Sequence, residues 1–215
     1  MRRLALTLAA VVMTAAAAPA WAEDEGAGDF DYYVLSLSWT PGWCAAEGDA
    51  RGDDRCDAGA GIGWGLHGLW PQYERGWPSW CRTAERDPTR AETAAMGRFM
   101  GSPGLAWHQW KKHGRCSGLS ARDYFLASAR AMGKVKLPDL FDRLDRTVRL
   151  PAAVVEEAFL EANPGLSRDM ITVTCAGGAI HEVRVCLTPD LDPRRCGRDV
   201  IRDCTLKDAV MQAPR

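Results

Sequence analysis

The sequence has no excess of positive charge, because 27 lysine and arginine residues stand against 28 aspartate and glutamate residues, for a formal net charge of −1. Such a chain lacks the overall positive field that holds a polyanion, so only a local basic cluster could bind nucleic acid. None of the eight cysteines forms a Cys-x-x-Cys pair. Since that pair is the usual spacing of zinc-binding cysteines, we expect no metal site.

Long apolar runs are also absent, except at the N-terminus. Arg2 and Arg3 precede an apolar stretch over residues 4–18, and Ala20-Trp21-Ala22 follows as a small-residue cleavage pattern. This succession predicts that residues 1–22 are a cleaved export signal, which places the mature protein in the periplasm or outside the cell. A retained membrane anchor is the alternative, but the stretch is short for a spanning helix. We expect no membrane contact after cleavage.

The mature part, residues 23–215, has a length that fits one domain with a sizeable core. The sole asparagine, Asn163, precedes a proline, so the sequence has no N-glycosylation sequon. An even number of cysteines in an exported chain predicts disulfides, although the sequence alone leaves about a hundred pairings open. The eight are Cys44, Cys56, Cys81, Cys116, Cys175, Cys186, Cys196 and Cys204.

Strands are predicted near both ends of the mature part. Aromatic and branched residues in Phe30–Trp39 predict a strand that we expect to be central, and a second is predicted at Trp64–Trp70. The intervening Cys44–Gly63 segment is rich in Gly, Ala, Asp and Arg and is predicted to be a loop. Alternating patterns predict a C-terminal hairpin, with strands at Met170–Cys175 and Ile180–Leu187.

Helices are predicted between these strands, at Thr89–Met100, Leu105–His113, Ser120–Met132 and Pro151–Ala162. Gly114 is well placed as the C-terminal cap of the second of them. Strands at both ends with helices between them predict an α+β domain. We expect a central antiparallel sheet with helices packed on one side, in a single domain held by disulfides.

Three of the four histidines lie in two short motifs, the first motif Trp64–Pro71 and the second motif His108–Cys116. Histidine can give or take a proton near neutral pH, so the two motifs suggest a paired acid and base. Metal-free cleavage of a phosphodiester needs such a pair, and a lysine can stabilise the charge of the phosphorane. If the attacking group is the ribose 2′-OH, only RNA can react.

Helical periodicity predicts a chemical face and a packing face in the second motif. An arc of about 140° holds one set of polar side chains, whereas Trp107 and Trp110 point the opposite way. In the first motif, strand alternation places His67 on the side away from Leu66 and Trp70. The polar set of the second motif is His108, Gln109, Lys112 and His113.

Together the two motifs resemble the paired signatures of the ribonuclease T2 family of secreted endoribonucleases. The opening strand that ends in Trp39-Thr40-Pro41, the cysteine spacing and the final hairpin are also similar to that family. The resemblance implies that His113 is the general base, that His67 is the general acid, and that His108 and Lys112 hold the phosphate. It also implies four disulfides, Cys44 with Cys56, Cys81 with Cys116, Cys175 with Cys204, and Cys186 with Cys196.

Several positions depart from the family pattern. Gln109 stands where the family usually has a glutamate, and a neutral amide cannot raise the pKa of His113 or transfer a proton. It can still donate a hydrogen bond to a phosphoryl oxygen, so we expect tuned rather than abolished catalysis.

Arg115 replaces a small hydroxyl residue and could attract the phosphate chain. Trp70 is a candidate platform for base stacking, with core packing as the alternative. Gln72 stands where some members of the family carry an acidic residue that reads the base, so the sequence leaves the base preference open.

The sequence thus predicts an endoribonuclease that cleaves single-stranded RNA through a 2′,3′-cyclic phosphate to 3′-phosphate products, as a monomer without metal or cofactor. The alternative is an RNA-binding or signalling protein on the same fold, weakened because Gln109 replaces the usual acid.

His181, beside Glu182, is expected to be structural. Four further tryptophans are expected to pack under loops rather than bind bases; these are Trp39, Trp43, Trp77 and Trp80.

Overall fold

The computed structural model describes residues 26–215, so the predicted export signal, residues 1–22, lies outside the described residues. The first strand, β1 (Tyr32–Trp39), is buried along nearly its whole length, as its branched and aromatic composition favours. It lies between two antiparallel neighbours, β2 (Trp64–Gln72) and β5 (Ala179–Leu187). The prediction of a central strand here is confirmed.

Between β1 and β2 the chain is more helical than predicted. The short helix α1 (Thr40–Trp43), a π-helical turn at Cys44–Gly48 and α2 (Asp49–Arg51) follow one another without a break. The prediction of a loop over Cys44–Gly63 was therefore wrong for its first part. A disulfide closes this segment, and the Arg55 guanidinium lies 4.2 Å from the Trp43 ring, so tertiary contacts override a loop-like composition.

Helices fill the middle of the chain as predicted. The Thr89 hydroxyl accepts from the backbone N–H of Glu92, whose carboxylate accepts in return, and this capping box begins the first long helix. Ser102 and Ser120 each accept a backbone N–H in the same way at the next two helices. The long helices are α3 (Arg90–Met100), α4 (Pro103–Lys112), α5 (Ala121–Lys134) and α6 (Ala152–Ala162).

The remaining strands complete a six-stranded sheet. After β3 (Val148–Leu150), the hairpin of β4 (Ile171–Ala176) and β5 is closed by Gly177 and Gly178, both at positive φ, as a tight two-residue turn requires. The last strand, β6 (Ala209–Met211), pairs antiparallel with β3 and touches β5 in parallel at one residue pair. The predicted α+β architecture is confirmed, with that single parallel contact in an otherwise antiparallel sheet.

The two faces of the sheet have different surroundings. Alternate residues of β1, such as Leu35 and Leu37, enter the main apolar core together with Trp110 and Phe159 of the helices. The residues between them face the opposite side, where Val34 packs beside a disulfide. Because paired residues of neighbouring strands point to the same face, this second face also carries alternate residues of β2 and β5.

Four disulfides staple the domain, and their pairing is the one that the resemblance implies. The bridge from Cys81 to Cys116 ties the loop before α3 to the turn after α4. Trp77, in the loop before α3, is more than half exposed. The prediction that this tryptophan packs under a loop was therefore wrong. Among residues 26–215, no helix combines the length and apolar character that a membrane crossing needs.

Candidate active site

A β-bulge places His67 and Trp70 on the same face of the sheet. Ser36 pairs with Gly68, whereas the next residue of β1 pairs with Leu66, so His67 is an extra residue on β2. The extra residue reverses the side-chain alternation beyond it. His67 and Trp70 therefore lie on the same face, with ring centroids 5.2 Å apart. The prediction that His67 points away from Leu66 is confirmed, since Leu66 enters the apolar core, but the prediction that it points away from Trp70 was wrong, because simple alternation does not include a bulge.

The second motif forms α4 and the tight turn that follows it, with His113 at the junction. The cap residue of the helix is His113, so the prediction that Gly114 caps it was wrong by one residue, and Gly114 does not have positive φ. A Cβ at Gly114 would lie 2.5 Å from the Trp110 ring and 2.8 Å from the Tyr124 ring, so close packing requires the glycine. The left-handed residue is Gly118, which ends the turn with φ 72°.

The faces of α4 differ in part from the periodic prediction. Trp110 is fully buried and its Nε1 donates a hydrogen bond to Asp87 Oδ1 at 2.9 Å, as expected for the packing face. Trp107 is 37% exposed, so the prediction that it packs was wrong. On the other face His108 is exposed, whereas Gln109 and His113 are buried against the sheet.

Gln109 and Trp70 link the two motifs. The Trp70 Nε1 donates to Gln109 Oε1 at 2.8 Å, and the His113 ring stacks on Trp70 with centroids 5.2 Å apart. A Cβ at Gly68 would lie 2.3 Å from Gln109 Oε1, so the glycine leaves room for this hydrogen bond. Arg184 also contacts the indole, at 5.3 Å from the ring centroid. These contacts favour the packing interpretation of Trp70 over that of a base platform.

His113 is held in its neutral form. It is 6% exposed, and burial, aided by the nearby charges of Lys112, His67 and His108, lowers its pKa to about 3. Its Nδ1 is buried without a hydrogen-bond partner among the described residues, so Nε2 is the atom that can reach a ligand. Burial and the charge of Lys112 also lower the pKa of His108.

His67 is paired with a buried carboxylate that sequence reasoning did not select. Its Nδ1 lies 2.5 Å from Oε1 of Glu182, which is 1% exposed. The other oxygen, Oε2, accepts from Arg184 Nη2 at 2.7 Å and Nε at 2.9 Å. Burial raises the pKa of Glu182, but the hydrogen bond from His67 and the charges of His67 and Arg184 outweigh it, and the pKa falls to about 2. His181 is half exposed, 4.0 Å from the same carboxylate.

A cleft of about 340 Å³ opens beside His67. Its lining is basic and aromatic, with Arg55 already engaged by Asp53 and Arg51 by Glu47. Arg98 forms no ion pair with any of residues 26–215 and is exposed. Further lining residues include Trp43, Phe99 and His181.

Trp80 and Arg115 flank the site in ways that the sequence did not indicate. Trp80 is 52% exposed, has φ 59°, and its ring meets His108 edge-on with centroids 5.5 Å apart. The prediction that Trp80 packs under a loop was therefore wrong. Its backbone N–H donates to Lys112 O at 2.9 Å, which fixes it beside the helix end. The Arg115 guanidinium instead pairs with Asp87 at 2.7 Å.

The side chains that meet here can donate and accept protons and can bind an anion. The imidazoles of His67 and His113 both contact Trp70. A third imidazole, that of His108, and the ammonium group of Lys112 lie close enough to act on His113 electrostatically. Within the described part of the chain, no group of three His, Cys, Asp or Glu side chains could hold a metal ion. The arrangement suits proton transfer at an anionic ester.

Comparisons with known proteins agree with this geometry. The model of the ribonuclease T2 family matches residues 30–196, which include both motifs. A ribonuclease of Aeromonas hydrophila is 46% identical over 101 residues, which cover 46% of this chain and 43% of that protein, so the chain spans less than half of that relative.

Two solved structures show the same fold. An RNase-related protein from Calystegia sepium has a TM-score of 0.65 at 19% identity and covers 86% of this chain and 97% of its own. RNase NT in complex with 5′-AMP has a TM-score of 0.58 at 21% identity, covering 86% and 98%. With a family model matched over most of its length, the chain belongs to the ribonuclease T2 family.

Proposed function

We propose that the protein is an endoribonuclease that cleaves single-stranded RNA by metal-independent transphosphorylation. The products are 2′,3′-cyclic phosphates, which are then hydrolysed to 3′-phosphates. The observation that carries the proposal is the meeting of His67 and His113, from distant parts of the chain, against one indole. The family match and the ribonuclease relative support it.

His113 serves as the general base. Its low pKa keeps the imidazole unprotonated, and only the neutral form can take the proton of the 2′-OH. A bound phosphodiester brings a negative charge to the ring, which favours the protonated form that the reaction produces. The site therefore becomes a stronger base when substrate is present.

The positive charge for the phosphorane comes from Lys112, and His108, whose lowered pKa favours the neutral form, can donate a hydrogen bond to the phosphate; both lie beside His113. Gln109 uses its carbonyl oxygen to accept from Trp70, so its amide N–H groups are the part that can donate to a phosphoryl oxygen. This arrangement supports a working site in which the amide positions Trp70 and the phosphate without exchanging protons.

RNA on the leaving side of the scissile bond lies in the cleft beside His67. His67 protonates the departing 5′ oxygen, so the nucleotides that follow that oxygen extend from His67 into the basic and aromatic lining. Trp80 offers a half-exposed ring beside His108 on which a base can stack. Arg115, being paired with Asp87, can attract the phosphate chain only from a distance.

The protein works as a monomer on the exported side of the membrane, in the periplasm or outside the cell. Four disulfides and no free cysteine among residues 26–215 suit an oxidising compartment. No cofactor is needed, since imidazole, lysine and amide groups cover each role of the reaction.

The test is product analysis on RNA and on DNA of the same sequence, in EDTA. We expect cleavage of RNA alone, with transient 2′,3′-cyclic termini, and a loss of about 10³-fold for His113→Ala. Arg130→Ala, at an exposed position outside the cleft lining, is the control and should stay within a few-fold of wild type. Undiminished cleavage by His113→Ala, or dependence on added metal, would contradict the proposal.

A second function, RNA binding or signalling without turnover, is favoured by one observation, the amide at Gln109. It predicts that oligonucleotides bind and no product forms. Gln109→Glu separates the two functions. A large rise in rate would show that the amide cripples the site, and little change would show that it suffices.

A further inference from the structure

Glu182 is a buried charge whose place in the site calls for an explanation. Taking a carboxylate out of water costs several kcal/mol unless partners compensate it. Both of its oxygens have such partners, Oε1 with His67 and Oε2 with Arg184. A carboxylate held on both sides cannot rotate away, so it fixes whatever it contacts.

We propose that Glu182 is a positioning residue that fixes the tautomer and ring orientation of His67, so that His67 delivers the Nε2 proton to the departing 5′ oxygen. An ionised carboxylate can only accept hydrogen bonds, so His67 must carry a proton on the Nδ1 atom that faces it. Nε2 is then the atom turned toward the substrate. The inference rests on the proposed endoribonuclease function and assigns a role within it.

The strand registers place Glu182 where this role needs it. Glu182 pairs with Ser38 of β1, and Gly65 of β2 pairs with the same serine, so the carboxylate lies two strands from the bulge. His67 lies two residues after Gly65 and so points to the face that Glu182 and Arg184 occupy, and the bulge brings Trp70 to the same face. Arg184, opposite Ser36, is also in contact with Trp70, so it holds the carboxylate and the indole together.

The proton balance assigns each nitrogen one task. In the first step Nε2 of His113 takes the 2′-OH proton, the bond from O2′ to phosphorus forms, the bond from phosphorus to O5′ breaks, and O5′ receives the Nε2 proton of His67. His67 is then neutral with its remaining proton on Nδ1, toward Glu182. In the second step Nε2 of His67 takes a proton from water, the bond from the water oxygen to phosphorus forms, the bond from phosphorus to O2′ breaks, and His113 returns its proton to O2′.

The test uses two substrates that differ only in the need for an acid. A uridylyl-adenosine dinucleotide loses a 5′-alkoxide, which must be protonated, whereas uridine 3′-(4-nitrophenyl phosphate) loses a phenolate, which need not be. For Glu182→Gln we expect kcat on the dinucleotide to fall on the order of 10²-fold with little change in KM, and kcat on the aryl ester to fall less than about 5-fold. His67→Ala should show the same selectivity.

Glu156→Gln is the matched control, since Glu156 is also a buried glutamate held by an arginine, Arg168 at 2.9 Å. It should leave both rates unchanged. Equal losses on the two substrates for Glu182→Gln, or no loss on either, would overturn the inference and leave the proposed function intact. A wild-type protein that cleaves neither substrate would instead defeat the proposed function, and this inference with it.

A measurement on the wild-type protein covers the case in which Glu182→Gln fails to fold. ¹⁵N NMR of the histidine side chains should show neutral His67 with its proton on Nδ1. His181, which is half exposed, should show the mixture of tautomers typical of solvent-exposed imidazole. A His67 with its proton on Nε2 would overturn the inference.

Discussion

Around the bulge, the two faces of the central sheet carry opposite kinds of side chain on the same strands. On the helix side Leu35 and Val183 are fully buried among apolar residues. On the other side their neighbours in sequence, Ser36, Glu182 and Arg184, form the floor of the candidate site. Non-directional apolar burial stabilises the first face, whereas specific partners must compensate each polar group on the second. Substitutions on the first should therefore change stability, and those on the second should change activity.

The largest effect is expected on the helix side of the sheet. Leu35→Ala leaves a cavity in the middle of the central strand and should lower the free energy of unfolding by about 2–5 kcal/mol. Urea unfolding measures this change, and kcat of the folded protein should stay near wild type. Leu35→Met, which keeps the volume, should cost less than about 1.5 kcal/mol. A large loss of kcat in folded Leu35→Ala would break the comparison between the faces.

The site face should make stability depend on pH. His113 has a folded-state pKa of about 3 against 6.5 for an exposed histidine, so below pH 6.5 the unfolded state takes up the proton first and stability falls toward pH 3. Glu182, with a pKa of about 2 against 4.5, adds a loss between pH 4.5 and 2.

His113→Asn removes the contribution of His113 to the pH dependence of stability. The difference in the free energy of unfolding between pH 7 and pH 4.5 should then become smaller, as measured by urea unfolding at both values. An unchanged difference in His113→Asn would show that His113 is not held neutral by burial.

Gly68→Ala tests the contact between the motifs. The added Cβ would lie 2.3 Å from Gln109 Oε1 and 2.4 Å from Trp70 Nε1, so the hydrogen bond between them must break or shift. We expect a loss of stability of about 1–3 kcal/mol and a reduction in kcat of roughly tenfold. Gly133→Ala is the control, because a Cβ at this helical glycine meets no atom within 4 Å. A neutral Gly68→Ala would mean that the link is dispensable.

The smallest effect is expected at the rim of the cleft. Arg98→Ala should raise KM for RNA of ten or more nucleotides by a few-fold while KM for a dinucleotide stays unchanged, since only the longer chain extends along the lining. Stability should stay within about 0.5 kcal/mol of wild type. Arg130→Ala removes the same charge from an exposed position outside that lining. Equal changes in the two variants would show a general charge effect.

The sequence predicted the helix-side architecture well because local signals specify it. The capping box at Thr89, the Ser102 and Ser120 caps and the glycine turn of the last hairpin are readable from a few neighbouring residues. Each long helix begins and ends within two residues of its predicted bounds. The second motif also placed His113 on the chemical face of α4, although its burial and its neutral state depend on the fold.

The site face depends on long-range register, which local patterns do not contain. The bulge at His67 arises from the pairing of β1 with β2 and brings Trp70 to the face of His67, against the expected alternation. Glu182 and Arg184 are two residues apart on β5 and so point to the same face, and the pairing of β5 with β1 brings that face to the site. Their alternation along β5 was the one signal of this arrangement that the sequence offered. The exposure of Trp80 likewise follows from its left-handed backbone. The disulfide of the next residue, Cys81, and the hydrogen bond from the Trp80 N–H to Lys112 O hold this conformation.

The most direct test of the account is a double-mutant cycle on RNA cleavage with His67→Ala and His113→Ala. If the two imidazoles act as one acid–base pair, each single variant should lose about 10³-fold in kcat, and the double variant should lose little more than either. Independent losses that multiply in the double variant, or a single variant that retains wild-type cleavage, would contradict the pairing on which the proposed function depends.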